Sequence, residues 1–450
     1  MRQYSSLIRL GYFDPPSEQP YRQLGFSDVA TNKSQQLAYK AAVEGIVLLK
    51  NDGILPLSQS SIKSLGLFGD WANATEQLLG NYAGIPTYLH SPLWAAQQTN
   101  LTVNYARGPG GQGDPTTNNW LNIWPAADAS DVIIYIGGID NGAESEGHDR
   151  STLSWTGAQL DVIGQLAGLG KPMIVVQMGG GQLDSSPIAN NPNISALLWG
   201  GYPGQDGGVA IIDVLLGKQA PAGRLPQTQY PASYISEVPM TDMSLRPGPH
   251  NPGRTYKWYN GTAVFPFGAG LHYTNFSASI SSQSMKSSYS ISDLVASCKN
   301  SSVKYMDQCP FTPLSVSVNN TGSRASDYVT LTFLTGSFGP APRPKKSLIL
   351  YQRLFDITPG NTGTATLNLT LGSLSRVDED GNKVLYPGDY EIQIDNQPLA
   401  SVKFTLGGEE AVLDKWPQPP KERRRKGIKG FEGYFPGGYG SEQMVVKDGE

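Results

Sequence analysis

The chain has 450 residues, a formal net charge of -4 and 39% hydrophobic residues. A chain of this length and apolar content can bury more than one core, so we expect a multidomain globular protein. A charge so close to neutrality excludes a general attraction for nucleic acids or anionic membranes and favours small neutral partners such as sugars. No apolar run approaches the ~18–20 residues that a membrane-spanning helix needs.

The first elements are a linker and a helix. Residues 1–34 contain turn signals such as FDPPSEQPY and predict an inter-domain linker. Apolar residues at helical spacing in SQQLAYKAAVEGIVLLKN predict a helix that ends near Asn51 and Gly53. Apolar runs then alternate with amphipathic stretches, which is typical of strand–helix repeats.

An open parallel sheet is predicted next. The strands are SLGLFGD, LTVNYAR, DVIIYIGG, PMIVVQMG and ISALLWGG. Because they are apolar almost throughout, both faces of the sheet must be covered. Helices are predicted at SWTGAQLDVIGQLAGLG, opened by Thr156 and closed by Gly170, and at GQDGGVAIIDVLLGKQ. Residues 35–275 are therefore predicted to form an α/β domain, an open and mostly parallel α/β sandwich.

The pattern changes in the last third of the chain. Segments such as LSVSVNN and GDYEIQIDN alternate polar and apolar residues, and they predict a small antiparallel β-sandwich over residues 315–410. Residues 276–314 are rich in Ser and are predicted to connect the two domains. Residues 411–450 mix Pro, Gly and basic residues without periodicity and are predicted to be a disordered tail.

Cysteines and sequons indicate the compartment. Cys298 and Cys309 predict one local disulfide, with two free thiols as the alternative. Together with the sequons they predict a secreted, extracellular glycoprotein. The first residues contain no apolar core of a signal peptide, so we expect the natural amino terminus to lie upstream. The candidate glycosylation sites are Asn32, Asn73, Asn100, Asn193, Asn260, Asn275, Asn300, Asn319 and Asn368.

The loop GGIDNGAESEGHDR follows an apolar strand, where parallel α/β sheets bind ligands. Glu144 and Glu146 could supply a general acid, which glycosidic cleavage needs because an alkoxide leaves poorly unless it is protonated. Arg150 could pair with Asp149 or Glu144 and hold the loop. The alternative is that these charges simply decorate an exposed loop.

Other chemistries have less support. The spacing of Glu144, Glu146, His148 and Asp149 matches no standard metal site, so no metal is expected. The glycine-rich stretch MGGGQLDSS lacks both nucleotide-binding patterns, so no cofactor is expected. The absence of a G-x-S-x-G elbow argues against a Ser-His-Asp hydrolase.

Several long motifs carry a family resemblance: AVEGIVLLKNDGILPL, GIDNGAESEGHDR, ALLWGGYPGQDGGVAIIDVLLGKQAPAGRLPQTQYP, GRTYKWYNG and FPFGAGLHYTNF. In this order, over residues 35–277, they resemble the second half of family-3 glycoside hydrolases, above all the fungal β-xylosidase branch. The sandwich after residue 315 is similar to the fibronectin-type-III-like domain that commonly closes these enzymes. Residues 1–34 resemble the linker that follows the family's amino-terminal barrel.

The resemblance implies a retaining mechanism that is split between two domains. The nucleophile would be an Asp on a barrel that is absent from this chain. The family's E-G-x-D-R pattern falls on EGHDR, which implies Glu146 as acid/base, with Glu144 as runner-up. Asp149 and Arg150 match the supporting pair, and His148 falls at a variable position. Asp70 is not assigned as a nucleophile.

The function implied by this resemblance is that of a retaining exo-1,4-β-xylosidase in xylan breakdown. It would release xylose from the non-reducing ends of xylo-oligosaccharides, without nucleic acid or membrane partners. This chain would carry the acid/base part only, and we expect it to have negligible activity alone. The alternatives are a non-catalytic carbohydrate-binding module and a β-glucosidase or arabinofuranosidase of the same family.

Overall fold

The computed structural model describes residues 2–110, 121–281 and 285–417. Its first unit is built on a six-stranded sheet. The strands are β1 Val47–Asn51, β2 Ser64–Phe68, β3 Thr102–Ala106, β4 Val132–Gly138, β5 Met173–Met178 and β6 Ala196–Gly201. Their spatial order is β1-β6-β5-β4-β2-β3, with β1 antiparallel to β6 and all other neighbours parallel. The predicted fold class, a mostly parallel α/β sandwich, is confirmed.

Helices cover both faces of this sheet. Alternate strand residues point to opposite sides, so Ile134 and Val176 pack with helix α7 (Gly207–Leu215), whereas Ile133 and Val175 pack with helix α5 (Gly157–Ala167). No helix in the described ranges is long and apolar enough to cross a membrane. The helices of this unit are α1 Arg2–Arg9, α2 Asn32–Gly45, α3 Pro92–Gln97, α4 Ile123–Asp128, α5 Gly157–Ala167, α6 Ser186–Ala189, α7 Gly207–Leu215, α8 Tyr234–Glu237 and α9 Thr255–Trp258.

Two predictions near the amino terminus are corrected. The helix predicted over SQQLAYKAAVEGIVLLKN ends at Gly45, and its second half is the edge strand β1. The apolar residues of β1 pair with β6, and this tertiary pairing overrides the helical spacing. The predicted linker, residues 1–34, contains α1 and the start of α2, and its residues are mostly exposed.

The second unit is a β-sandwich, as predicted. Its sheets have the orders β11-β10-β15-β16-β8, β12-β9-β7 and β13-β14-β17. Two short helices, α10 Ile291–Lys299 and α11 Leu371–Leu374, accompany them. The strands are β7 Phe276–Ser281, β8 Ser288–Ser290, β9 Leu314–Asn320, β10 Ser326–Phe338, β11 Ser347–Ile357, β12 Thr362–Leu367, β13 Arg376–Val377, β14 Lys383–Leu385, β15 Gly388–Ile394, β16 Ala400–Gly407 and β17 Ala411–Asp414.

Two segments that were assigned outside the sandwich belong to it. The predicted connection, residues 276–314, contains β7 and β8, which pair with β9 and β16. The predicted tail, residues 411–450, begins with β17, which pairs with β14. All three strands lie at sheet edges, where pairing on one side suffices and a long apolar pattern is not required. Within the connection, Cys298 and Cys309 are joined by a disulfide. The rest of the predicted tail, residues 418–450, lies outside the described residues.

A buried ion pair joins the two units. Arg224 follows α7, and its Nη2 donates to Asp395 Oδ2 at 2.7 Å, just beyond β15. The two side chains are only 10% and 11% exposed. Arg224 also donates to the carbonyl oxygens of Gly270 and Val329, and the Tyr328 hydroxyl donates to Asp395. At this point the contact between the units is therefore polar and largely shielded from water, while Tyr256 and Phe267 pack against Phe333 in an apolar part of the same contact.

Replacing Arg224 by Leu is expected to destabilise the protein strongly. The substitution leaves the Asp395 carboxylate buried without its cation, which costs about 3–5 kcal/mol in the free energy of unfolding. Urea denaturation measures the loss. The matched control is Lys218→Gln, which breaks a 2.9 Å pair with Asp213 whose lysine is 55% exposed, and it should cost less than about 1 kcal/mol. Equal losses in the two variants would contradict this assignment.

Candidate active site

The loops that leave the parallel strands meet at one edge of the sheet. The loop after β4 carries Glu144 and Glu146, the loop after β2 carries Tyr82, and Tyr202 follows β6. Between these loops lies a shallow depression of about 300 Å³. Its lining includes Asn81, Glu144, His148, Asp149, Gly181 and Tyr202. This is the edge where ligands of parallel α/β sheets bind.

The loop that follows β4, residues 139–150, is called the acid loop, and its start is fixed at Gly138. Its φ of +140° lies in a region that side chains rarely adopt, and a Cβ there would lie 2.2 Å from the Met178 carbonyl oxygen. The buried Gln159 then holds both backbone groups of Gly138, accepting from its N–H and donating to its carbonyl, each at 2.9 Å. The loop therefore leaves the sheet in one direction.

Two successive turns position the two glutamates differently. The Asp140 side chain accepts from Gly142 N at 2.9 Å, and its carbonyl accepts from Glu144 N at 3.2 Å. Ser145 and His148 then exchange two backbone hydrogen bonds, each 2.9 Å long. This closes a tight hairpin with Glu146 at its tip, followed by Gly147 at a φ of +72°. As a result Glu144 points back to the protein and Glu146 is exposed.

Glu144 is held by Arg150. The Arg150 Nε donates to Glu144 Oε2 at 2.6 Å, and its Nη1 donates to the Gln182 carbonyl oxygen at 3.0 Å. The Arg150 side chain is only 9% exposed. Gly181 makes room for the pair, because a Cβ there would lie 2.2 Å from Glu144 Oε1. The ion pair thus ties the acid loop to the loop after β5.

Glu146 has a different partner. The Tyr82 hydroxyl donates a hydrogen bond to Glu146 Oε2, and this bond raises the pKa of Tyr82. Tyr82 has a φ of +60° and is 80% exposed, so its hydrogen bond to Glu146 lies at the solvent-exposed rim of the site. Within the part of the chain that the structure describes, Glu146 forms no ion pair. Of the two glutamates, Glu146 is therefore the one that is exposed and not held in an ion pair.

Family comparisons agree with this architecture. Residues 46–273 match the glycosyl hydrolase family 3 C-terminal domain. The chain belongs to glycosyl hydrolase family 3. Residues 329–397 match a fibronectin type III-like domain, which is the second unit of the fold. The predicted family resemblance is thereby confirmed for both units.

Several family-3 relatives are xylosidases by name. The chain is 51% identical over 429 residues to a probable exo-1,4-β-xylosidase of Neosartorya fischeri, covering 94% of this chain and 54% of the relative. An exo-1,4-β-xylosidase of Aspergillus oryzae is 49% identical over 422 residues, with coverages of 93% and 53%. A solved family-3 exo-β-xylosidase in complex with a xylobiose aziridine probe matches with a TM-score of 0.87 and 47% identity, covering 93% of this chain and 54% of that one. The chain thus spans about half the length of these relatives.

The structure decides between the two partners that the sequence left open for Arg150. Arg150 pairs with Glu144 rather than with Asp149, which is exposed and forms no ion pair or hydrogen bond among the described residues. The assignment of Glu146 as acid/base in this family-3 chain stays a prediction, as does Glu144 as runner-up. Asp70 forms an ion pair of 2.6 Å with Arg107, and its side chain is 7% exposed, so it is not presented to a ligand.

Sequence reasoning missed two aromatic residues at the site. Tyr82 and Tyr202 come from the loops after β2 and β6, far from the acid loop in sequence. Burial raises the pKa of Tyr202, and the nearby Glu144 adds to the shift. The one available signal was that both residues follow strands predicted to end at the same edge as Glu146, but this could not single out either tyrosine.

Removing the Arg150 charge is expected to loosen the acid loop. In Arg150→Gln the charge-assisted bond to Glu144 is lost, so amide hydrogen exchange at Ser145 and His148 should accelerate by about tenfold or more. Exchange measured by mass spectrometry on the chain tests this. Asp149→Asn is the matched control, and it should leave these amides unchanged. If exchange accelerated in the Asp149 variant and stayed unchanged in the Arg150 variant, the described pairing would be contradicted.

Proposed function

We propose that this chain supplies the general acid/base of a retaining exo-1,4-β-xylosidase that acts on xylo-oligosaccharides. The observation that carries the proposal is the presentation of Glu146 at the tip of a fixed hairpin, at the carboxyl edge of the parallel sheet. The identity of about half of all aligned residues with exo-1,4-β-xylosidases supports the substrate class. A net charge of -4 suits a neutral sugar substrate.

The mechanism assigns one task to each carboxylate. Glu146 protonates the glycosidic oxygen as the bond breaks and then takes a proton from the attacking water. The nucleophile has to lie about 5–5.5 Å from it across the scissile bond. Glu144 and Asp70 are committed to Arg150 and Arg107. The resemblance to family 3 implies instead that the nucleophile is an Asp on the family's amino-terminal barrel, which we propose packs against this edge.

Glu144 and Tyr82 take supporting roles in this proposal. The Glu144–Arg150 pair holds the hairpin in place, while the Tyr82 hydroxyl orients Glu146 from the rim. A hydrogen-bonded carboxyl at a hairpin tip keeps one defined direction toward the sugar, which favours proton transfer.

A chimera tests the assignment of Glu146. The amino-terminal half of the Aspergillus oryzae relative, joined to this chain, should release xylose from xylobiose. Glu146→Gln should lower kcat/KM by about 10²–10⁴-fold, which is the usual contribution of a general acid. With a dinitrophenyl xyloside the variant should still form the glycosyl-enzyme, because that leaving group departs without a proton. Glu144→Gln, the matched control, should lose less on xylobiose and show no such dependence on the leaving group.

Other outcomes would contradict parts of the proposal. A reversal of the two glutamate variants would make Glu144 the acid/base. Faster cleavage of a glucoside or an arabinofuranoside than of a xyloside would overturn the specificity. The chain alone is expected to have negligible activity, so xylose release that is lost in Glu146→Gln would contradict a split site. An inactive chimera that binds xylo-oligosaccharides would favour a carbohydrate-binding module.

We also propose that the protein is secreted and glycosylated. The Cys298–Cys309 disulfide and the exposure of most sequon asparagines support this. Asn319 is the exception, because it is half-buried and its Oδ1 is enclosed without a hydrogen-bond partner among the described residues. Glycopeptide mass spectrometry of protein secreted by a fungal host should therefore find glycans at exposed sites such as Asn100 and Asn300, and none at Asn319. An occupied Asn319, or a protein without glycans, would contradict this proposal.

A further inference from the structure

A second cleft lies where the first unit meets the fibronectin type III-like unit. It consists of two adjoining cavities of about 510 Å³ and 770 Å³, which share Arg246, Arg343 and Arg376 in their linings. The smaller one falls within the usual size range of ligand pockets. One wall is the segment around α9, and the other is formed by β10, β11 and β13. No residue of this cleft lines the depression beside Glu146.

Hydrogen bonds between the two units fix the walls of the smaller cavity. The Tyr256 hydroxyl accepts from Leu348 N at 3.0 Å. The backbone N–H of Lys345 donates to the Lys257 carbonyl oxygen at 2.8 Å. These bonds join α9 to β11 and to the residues just before it, so the cavity is a built feature of the junction.

The charge of the smaller cavity is uniformly positive. Arg246, Lys257, Arg343 and Arg376 line it, and no Asp or Glu does so among the described residues. None of these four cations forms an ion pair within residues 2–110, 121–281 and 285–417. Burial lowers the pKa of Arg376, and the nearby guanidinium groups of Arg343 and Arg246 lower it further. Among the described residues, this positive charge has no acidic counterpart in the smaller cavity, whereas Asp378, Glu379, Asp380 and Glu410 line the adjoining larger cavity.

Backbone contacts hold two of the guanidinium groups in place. Arg376 donates to the carbonyl oxygens of Phe338, Pro340 and Pro342 at 2.8, 2.9 and 3.1 Å. Arg343 donates through its Nε to the Gly339 carbonyl oxygen at 3.0 Å. Its two terminal nitrogens have no hydrogen-bond partner among the described residues. A guanidinium in this state is suited to a planar carboxylate, which it can bind with two parallel hydrogen bonds.

The remaining lining suits a sugar. The Arg246 guanidinium lies over the ring of Trp258 at 5.6 Å, and both residues line the cavity. Thr335, Ser347 and Ser375 line it as well, and the hydroxyl groups of Thr335 and Ser375 donate to the carbonyl oxygens of Lys345 and Gly372, which leaves these hydroxyl oxygens able to accept a hydrogen bond. Hydroxyl groups and an aromatic ring can contact the hydroxyls and the apolar face of a pyranose, while the arginines meet a carboxylate.

We propose that the smaller cavity of this cleft is a secondary binding site for saccharides that bear a carboxylate, such as xylo-oligosaccharides with a uronic acid side group. The choice of a saccharide rests on the proposed function, whereas the choice of a carboxylate rests on the lining of the smaller cavity alone. This cavity would hold a substituted chain through its charged side group. This would give the fibronectin type III-like unit a role in substrate capture.

Titration calorimetry on the chain tests the proposal, because it measures binding and does not require turnover. A failure of this binding proposal can therefore be distinguished from a failure of the proposed function, which would show as an inactive chimera. The probes are a xylotetraose that bears one glucuronic acid, unsubstituted xylotetraose, and inorganic phosphate. The acidic tetraose should bind at least tenfold more tightly than the neutral one, and added salt should weaken its binding. Arg343→Gln and Arg246→Gln should each weaken it about tenfold or more, because each loses charge-assisted hydrogen bonds.

Arg22→Gln is the matched control, because Arg22 is exposed, lies outside the cleft and has no ion pair among the described residues. It should bind the acidic tetraose as the parent chain does. Equal affinity for the acidic and neutral tetraoses would overturn the proposal, and so would unchanged binding in Arg343→Gln. Phosphate that binds as tightly as the acidic tetraose and displaces it would show a general anion site and would overturn the choice of saccharide.

Discussion

The common direction of the parallel strands is the constraint on which the rest of the structure depends. β2, β4, β5 and β6 all end at one edge, so every loop that follows them reaches the same place. The backbone is closely packed where the chain leaves β2 and β4. A Cβ at Gly69 would lie 2.1 Å from the Ile136 carbonyl oxygen, and one at Gly138 would lie 2.2 Å from that of Met178. Close backbone packing therefore aims the loops before any side chain contributes.

Glu144 and Glu146 lie only two residues apart in the chain, but their surroundings differ. The turn at Asp140 directs Glu144 inward to Arg150, while the hairpin closed by Ser145 and His148 places its tip in solvent. One acidic residue thus stabilises the loop, and the other is the proposed acid/base. This division favours a general acid, because its carrier has to be rigid while the carboxyl group itself stays accessible.

The second unit is joined to the first through two sets of contacts. The buried pair of Arg224 and Asp395 holds the units together, and hydrogen bonds from α9 to β11 fix a second contact. The cationic cavity lies at this second contact, and it shares no lining residue with the depression beside Glu146. A fixed junction can keep two binding surfaces in constant register, which suits a long substrate held at more than one point.

Local pattern alone determined much of this protein. The strands β2 to β6 were predictable because β-branched, aromatic and other apolar residues predominate in them, and the resemblance of EGHDR to a family motif indicated the acid loop. The edge strands β1, β7, β8 and β17 were not, because their pairing depends on a distant partner. Tertiary structure also decided that Arg150 holds Glu144, that Tyr82 reaches Glu146, and that a cationic cavity forms. Such contacts join residues far apart in the chain, and periodicity describes only near neighbours.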